Sequence, residues 1–101
     1  MLIKHFLLLS FETDLSQQEI SSVTIPEGSN FIKAKILHDG IYLFFEIPGD
    51  DESLPMVKES YYILKPKQEV PKNSRFVDLL DTIIETKDGQ GMILFPIYKI
   101  I

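Results

Sequence analysis

The sequence contains no cysteine and no tryptophan, and Arg75 is its single arginine. Without cysteine, a disulfide framework, a thiolate nucleophile and a cysteine metal site are all excluded. The absence fits a reducing compartment, and we expect the protein in the cytoplasm. No apolar run approaches the roughly 18 residues of a membrane span, so no membrane association is expected.

Basic residues are scarce relative to acidic ones, with 10 Lys and Arg against 15 Asp and Glu and a net charge of −5. Nonspecific nucleic-acid binding depends on clustered cations, so a nucleic-acid partner is not expected. A glycine-rich phosphate loop is also missing. The sequence Gly89-Gln90-Gly91 is explained by a hairpin turn.

What the chain does contain is apolar material, since 45% of its 101 residues are hydrophobic and 11 are Phe or Tyr. This length is typical of one domain, and these aromatic residues can supply its core. We therefore expect a single β-rich domain over residues 1–101.

The strongest local signal is IKAKILHDGIYLFFEI, residues 32–47. Asp39-Gly40 separates two apolar runs, and Asp-Gly is a favoured pair for a two-residue type I′ hairpin turn. The resulting register assigns one apolar face to the core, namely Ile32, Ala34, Ile36, Leu43, Phe45 and Ile47. The predicted pairs on the opposite face are Lys33 with Glu46, Lys35 with Phe44, and Leu37 with Tyr42.

Further strands are predicted on both sides of this hairpin. Residues 2–11 are strand-like, residues 12–18 form a polar connection, and residues 19–25 alternate as a second strand. Residues 48–55 hold two prolines, one glycine and three acids, which is typical of a surface loop. Another strand starts at Tyr61.

An internal repeat links the two halves of the chain. IPEGSNFI at residues 25–32 and VPKNSRFV at residues 70–77 agree in residue type at most positions. Each copy precedes an Asp-Gly dipeptide, which is followed by an apolar run, IYLFFEI or MILFPIYKI. We therefore expect two related hairpin units.

Residues 74–85, SRFVDLLDTIIE, allow two interpretations. Their apolar residues lie at helical spacing, and Ser74 is placed to act as an N-cap, which predicts a short helix. The repeat favours a strand, and four of the five residues at 82–86 are β-branched. We expect a strand, with a short helix as the alternative. Pro96 in the last apolar run predicts an edge position or a bulge there.

Few side chains indicate catalysis or metal binding. His5 and His38 are the only histidines, and a metal site would need a further ligand with suitable geometry. Ser60 and Ser74 lack a nucleophile-elbow context. The acidic residues 50–52 lack the alternate spacing of a calcium loop. We expect no catalytic residue, no metal and no cofactor, and predict that the protein is not an enzyme.

The mixed face of the central hairpin is the best candidate for a functional surface. It carries Lys33, Lys35, Leu37, Tyr42 and Phe44. Lysines and aromatic rings together can neutralise and stack a nucleotide or a single-stranded segment. Lysine stems also cover aromatic rings on ordinary solvated sheets. A third interpretation is that this face packs on another sheet or on a second copy of the protein.

The segments IPEGSNFIKAKILHDGIYLFFEI and VPKNSRFVD, with the final GMILFPIYKI, resemble a family of small uncharacterised β-rich domains common in bacteriophage genomes. The resemblance covers residues 19–101 and implies a phage or prophage origin. The segment 79–86 is longer than in the family pattern. The family has no assigned catalytic residues, so the resemblance implies none here.

These observations predict an all-β fold, a small antiparallel sandwich or open barrel of about six or seven strands with duplicated hairpin units. The expected function is protein interaction. In a phage setting this means an accessory protein that binds and modulates a host factor in the cytoplasm of the infected cell. The alternatives are a homo-oligomeric structural component of a phage assembly and a nucleotide-binding protein. A protein partner or self-association is expected.

Overall fold

The computed structural model describes residues 2–12, 20–49, 53–65 and 67–101. In this part of the chain all regular structure is β, so the predicted fold class is confirmed. None of these residues forms a helix long and apolar enough to cross a membrane. The strands are β1 (Leu2–Ser10), β2 (Ile20–Pro26), β3 (Asn30–Leu37), β4 (Gly40–Ile47), β5 (Met56–Ile63), β6 (Ser74–Thr86) and β7 (Gly89–Ile100).

The predicted strands at 2–11 and 19–25 correspond to β1 and β2, whereas β5 begins at Met56, before the predicted start at Tyr61. Residues 13–18 of the predicted connection lie outside the described residues, and so do the acidic residues 50–52 of the predicted loop at 48–55.

The strands form two antiparallel sheets that pack as an open sandwich, as predicted. Sheet A has the order β1-β4-β3, and sheet B has the order β2-β5-β7-β6. The sheet edges also meet, because β3 contacts β6 and β1 contacts β2. No strand pairing crosses these two seams among the described residues, so the sheets do not close into a barrel.

The core lies between the two sheets and is filled by inward-facing side chains at alternate strand positions. Leu43 in sheet A and Ile97 in sheet B are fully buried. The complete buried cluster is Leu8, Leu9, Val23, Ile25, Ala34, Ile41, Leu43, Phe45, Ile47, Tyr61, Leu80 and Ile97.

The β3–β4 hairpin forms, but its turn lies one residue earlier than predicted. Leu37 pairs with Gly40, so His38 and Asp39 make the two-residue turn. None of these turn residues has the left-handed φ that a type I′ turn requires, so the predicted turn type is wrong. A Cβ at position 40 would collide with the carbonyl oxygen of Leu9 in β1. The glycine is therefore needed inside the sheet rather than in the turn.

From Lys33 to Leu37 this shift moves each cross-strand partner by two positions and preserves the two faces. Ala34, for example, pairs with Leu43, and both side chains still face the core. A bulge between Phe31 and Lys33 then reverses the alternation at the start of β3. Phe31 packs against the core and Ile32 is 43% exposed. The prediction that Ile32 belongs to the core is therefore wrong.

Residues 74–85 belong to strand β6, so the predicted strand is confirmed and the alternative helix is wrong. β6 pairs with β7 from Ser74 opposite Ile100 to Thr86 opposite Gly89. This ladder provides partners for backbone groups that a helix would pair internally. The helical spacing of the apolar residues is outweighed by this long tertiary pairing.

Pro96 lies in β7, an interior strand of sheet B, but it stands one residue beyond the β5–β7 ladder, so on that side it occupies the predicted edge position. The β5–β7 ladder ends at Ile63 opposite Ile97, and the N–H of Leu64 donates to the Pro96 carbonyl oxygen at 2.9 Å. The N–H and C=O of a strand residue point to the same side. An N–H at position 96 would therefore point toward the end of β5. Its absence in proline removes no hydrogen bond from the ladder between β7 and β6.

The sequence repeat is also a structural repeat. The hydroxyl of Ser29 donates to the carbonyl oxygen of Pro26, and that of Ser74 donates to Pro71, each at 2.5 Å. The residue before each serine, a glycine and then an asparagine, has a left-handed φ of 85° and 55°. A one-residue bulge follows in β3 and in β6, and each hairpin has a two-residue turn. The two predicted hairpin units therefore share their backbone design.

Asp78 joins the two sheets at the seam between β3 and β6. Its Oδ2 accepts the N–H of Ala34 at 2.6 Å, and its Oδ1 accepts the N–H of Leu79 at 2.8 Å. Ala34 and Leu79 occupy the same position in the two copies of the repeat. One carboxylate therefore binds equivalent backbone groups of both units.

Candidate functional site

The predicted surface lies on the side of sheet A that faces away from sheet B. Side chains from alternate positions of all three strands meet there, because strand side chains alternate between the two faces. The nine residues are Ile3, His5 and Leu7 of β1, Lys33, Lys35 and Leu37 of β3, and Tyr42, Phe44 and Glu46 of β4. We call them the sheet A outer face. The structure brings all five predicted residues together on it.

Strand β1 adds residues that sequence reasoning missed. His5 lies opposite Phe44, and its ring is 5.1 Å from that of Tyr42 and 5.6 Å from that of Phe44. Ile3 and Leu7 flank this aromatic centre and are 69% and 45% exposed. The strand character of β1 could be predicted from the sequence, but its placement beside β4 could not. Sheet B packs on the opposite side of sheet A, so its strands do not cover these side chains.

The two lysines form the β3 border of the sheet A outer face. Lys33 lies opposite Phe44 and Lys35 opposite Tyr42, because the turn is one residue earlier than predicted. The predicted Lys33 pairing with Glu46 is therefore wrong, and Glu46 lies opposite Asn30. Both lysines are exposed and form no ion pair with another described residue. The border is thus cationic and not neutralised by the face itself.

Tyr42 is oriented by the hairpin turn. Its hydroxyl donates to Oδ2 of Asp39 at 2.9 Å. This hydrogen bond, together with desolvation and the negative charge of Asp39, raises the pKa of Tyr42 above its ordinary value. The same hydrogen bond orients the ring beside His5 in the aromatic centre.

A second polar group lies on the inner face of sheet B, near one end of the sandwich. Nζ of Lys99 is 2.8 Å from Oε2 of Glu59, and the hydroxyl of Tyr61 donates to Oε1 of Glu59 at 2.8 Å. Tyr61 is buried, and its desolvation is the main cause that raises its pKa, followed by the Glu59 hydrogen bond. The nearby positive charge of Arg75 acts in the opposite direction.

An open cleft of about 530 Å³ adjoins this group, where strands β5 and β7 diverge. Their ladder ends at Tyr61 opposite Lys99. Beyond that pair β5 continues beside β2, whereas β7 continues beside β6. The cleft is lined by Lys58, Glu59, Ser60, Arg75, Lys99, Ile100 and Ile101. Sequence reasoning missed it because Glu59 and Lys99 are distant in the chain and the β5–β7 pairing has no local signal.

Within the described ranges, no three His, Asp or Glu side chains come together in an arrangement that could hold a metal ion. His5 and His38 lie on different parts of sheet A, in β1 and in the β3–β4 turn. Ser60 shares a hydrogen bond of 2.9 Å with Ser22, and Ser74 donates to Pro71, so neither hydroxyl is paired with a histidine. Comparison with protein-family models, curated proteins and solved structures finds no match for this chain.

Proposed function

We propose that this protein is a non-enzymatic interaction module that binds another protein through the sheet A outer face. One observation carries the proposal. The half-buried rings of Tyr42 and Phe44, flanked by the exposed Ile3 and Leu7, are bordered on one side by two lysines that pair with no acid in the described part of the chain. Aromatic side chains that can be fully desolvated contribute most of the energy in many protein interfaces.

The dimensions suit the centre of an interface. Three strands about 4.8 Å apart and five residues of about 3.3 Å each give a patch of roughly 10 by 15 Å. A stable interface buries about 800 Å² on each partner, so a partner must also contact the surrounding rim. Pre-organised rings lose little side-chain entropy on binding, and His5 and Asp39 already orient Tyr42.

The charge pattern defines the partner. A complementary protein surface would offer apolar side chains to the rings and carboxylates to Lys33 and Lys35. A second copy of this chain would bring one carboxylate, Glu46, on the same face, and would leave one of the two lysines unneutralised. The proposed partner is therefore a different protein with an acidic rim. The resemblance to phage domains suggests a host factor, which the protein would bind and modulate.

Site-specific photo-crosslinking tests this proposal. Benzoylphenylalanine would replace Phe44 on the sheet A outer face or, as a matched control, Phe76, which is 54% exposed on sheet B. Both proteins would be irradiated in host lysate and also as purified protein alone. We expect a discrete heterologous crosslink from position 44 and none from position 76. The crosslinked protein, once identified and purified, should bind the unmodified chain directly.

Charge reversal provides the specificity test with that purified partner. Lys33→Glu with Lys35→Glu should weaken binding by about tenfold or more, because two attractive charges become repulsive. Lys87→Glu in the exposed turn of the second hairpin changes charge elsewhere and should have little effect. Equal crosslinking from positions 44 and 76 would contradict the proposal. A crosslink from position 44 only to a second copy would replace it with self-association.

A further inference from the structure

The cleft between β5 and β7 concentrates positive charge in an acidic protein. Three of the chain's 10 basic residues line it, Lys58, Arg75 and Lys99, together with two carboxylates, the side chain of Glu59 and the main-chain carboxylate of Ile101. The whole chain carries a net charge of −5. The local excess of cations therefore differs in sign from the overall charge.

Two of these cations are held opposite each other. Arg75 pairs with Lys99 across β6 and β7, and directly opposed like charges destabilise a sheet. Glu59 relieves this repulsion only in part. One of its carboxylate oxygens contacts Lys99 and the other accepts the Tyr61 hydrogen bond. Arg75 and Lys58 form no ion pair with a residue in the described part of the chain.

The walls of the cleft suit a small molecule. Because β5 pairs with β7 only from Tyr61 onward, its residues at 58–60 pair with β2 only and face open space on the other side. Ile100 and Ile101 add apolar surface. A volume of about 530 Å³ lies in the usual range for small-ligand sites.

We propose that this cleft binds the oxyanion group of a small molecule, a carboxylate or a phosphate, at Arg75. The planar guanidinium of Arg75 can donate two parallel hydrogen bonds to such a group. Lys99 remains paired with Glu59 beside this group. The apolar part of the ligand lies against Ile100 and Ile101. This site is separate from the sheet A outer face and does not depend on the protein-binding function.

Removing the charge of Glu59 should change oxyanion affinity in the opposite direction to removing the charge of Arg75. Its negative charge opposes an incoming anion while it neutralises Lys99. Glu59→Gln keeps the size of the side chain and removes that charge, so it should strengthen oxyanion binding. Arg75→Gln removes the main ligand and should weaken binding. A cleft that only gathers loosely held counterions would respond little to either change.

The test is an amide NMR titration at constant ionic strength, with pyrophosphate and succinate as probes and sodium chloride as the reference. We expect saturable shifts at residues 58–61 and 99–101. Pyrophosphate alone would identify a phosphate site, and succinate alone a carboxylate site. Arg75→Gln should raise Kd by about tenfold or more, as expected for a lost charged hydrogen bond. Glu59→Gln should lower Kd.

Lys35→Gln is the matched control, because it removes an exposed cation from the other sheet. It should change Kd by less than about twofold. Equal effects of Lys35→Gln and Arg75→Gln, or shifts spread over the surface lysines, would overturn the proposal. So would the absence of saturable binding for both probes. Each variant's thermal unfolding, measured in parallel, identifies any loss that comes from misfolding.

Discussion

The two hairpins of this protein share a backbone design but bury opposite faces. Both have the serine-to-proline hydrogen bond, the bulge and the two-residue turn. In the first hairpin, Phe31 packs against the core. Its counterpart Phe76 is 54% exposed on the outside of sheet B and contacts Tyr98. The repeat therefore specifies the path of the chain and not the side of the sheet that meets the core.

The residue two positions later shows the same inversion. Lys33 lies on the exterior of sheet A, whereas the equivalent Asp78 points toward the other sheet and binds the N–H of Ala34. The apolar runs invert as well, since Leu43 is fully buried and Leu94 is 49% exposed. Side chains along a strand alternate between the two faces of the sheet. A hairpin unit that packs on the core with its other face therefore exchanges all its buried residues for its exposed ones.

The largest test of this comparison is a pair of leucine truncations. Leu43→Ala should cost about 2–5 kcal/mol in the free energy of unfolding, because it leaves a cavity in the core. Leu94→Ala should cost no more than about 0.5 kcal/mol, the usual range for surface substitutions. Urea denaturation measures both. Similar losses would show that the exterior of the second hairpin is covered in solution.

The glycines after the two turns should also behave differently. Gly40→Ala should cost about 3 kcal/mol, the upper part of the usual range for overpacking, because the new Cβ meets the backbone of Leu9. Gly89 has no neighbour within 4 Å of such a Cβ, but its φ of 126° disfavours alanine. Gly89→Ala should cost about 1–2 kcal/mol.

Amide exchange separates the two glycine mechanisms. Gly40→Ala should reduce protection along β1 and β4, whereas Gly89→Ala should affect only the distal end of β6 and β7. Loss of β1 protection in the Gly89 variant would contradict this account.

Asp78→Ala should destabilise the protein by about 1–3 kcal/mol, because two backbone N–H groups lose their acceptor. Lys33→Ala, at the equivalent exposed position, should change stability by no more than about 0.5 kcal/mol. Thermal unfolding of both variants at pH 7 provides the comparison. A loss in Lys33→Ala as large as that in Asp78→Ala would mean that Lys33 has a structural role beyond this geometry.

The smallest difference between the two units is expected where their turns agree. Ser29→Ala and Ser74→Ala each remove one hydroxyl-to-carbonyl hydrogen bond of 2.5 Å. Each should cost about 1 kcal/mol, the typical net value for such a bond. Urea midpoints that differ widely between the two variants would show that the shared turn geometry is not matched by shared energetics.

Most of the strand content could be predicted because its signals are local. A run of apolar residues with few polar interruptions identified β1, alternation identified β2, and the repeat identified β6 against the helical spacing of its apolar residues. The faces of β3 and β4 were mostly correct even though the turn was misplaced, because a two-position shift preserves the alternation. Ile32 was misplaced because a bulge leaves no clear signature in the side chains.

The remaining features depend on contacts between distant strands. The observed turn differs from the predicted one because Gly40 lies inside the sheet, where a side chain would collide with the backbone of Leu9. Nothing near residue 40 in the sequence indicates this contact with β1. His5 joined the candidate face for the same reason, through the pairing of β1 with β4. The cleft exists because the pairing of β5 with β7 ends at Tyr61. That end point is a property of the sheet topology. Sequence patterns predict elements, and these sites arise from the order of the elements.

The Asp78 contact also affects how the protein behaves at high concentration. β3 is an edge strand of sheet A, and such strands offer unpaired N–H groups on which further strands can add. The carboxylate of Asp78 occupies one of these groups, on Ala34, midway along the strand. An incoming strand would have to displace a charged acceptor before it could extend the sheet. The contact that joins the two sheets thus also gives this edge resistance to aggregation.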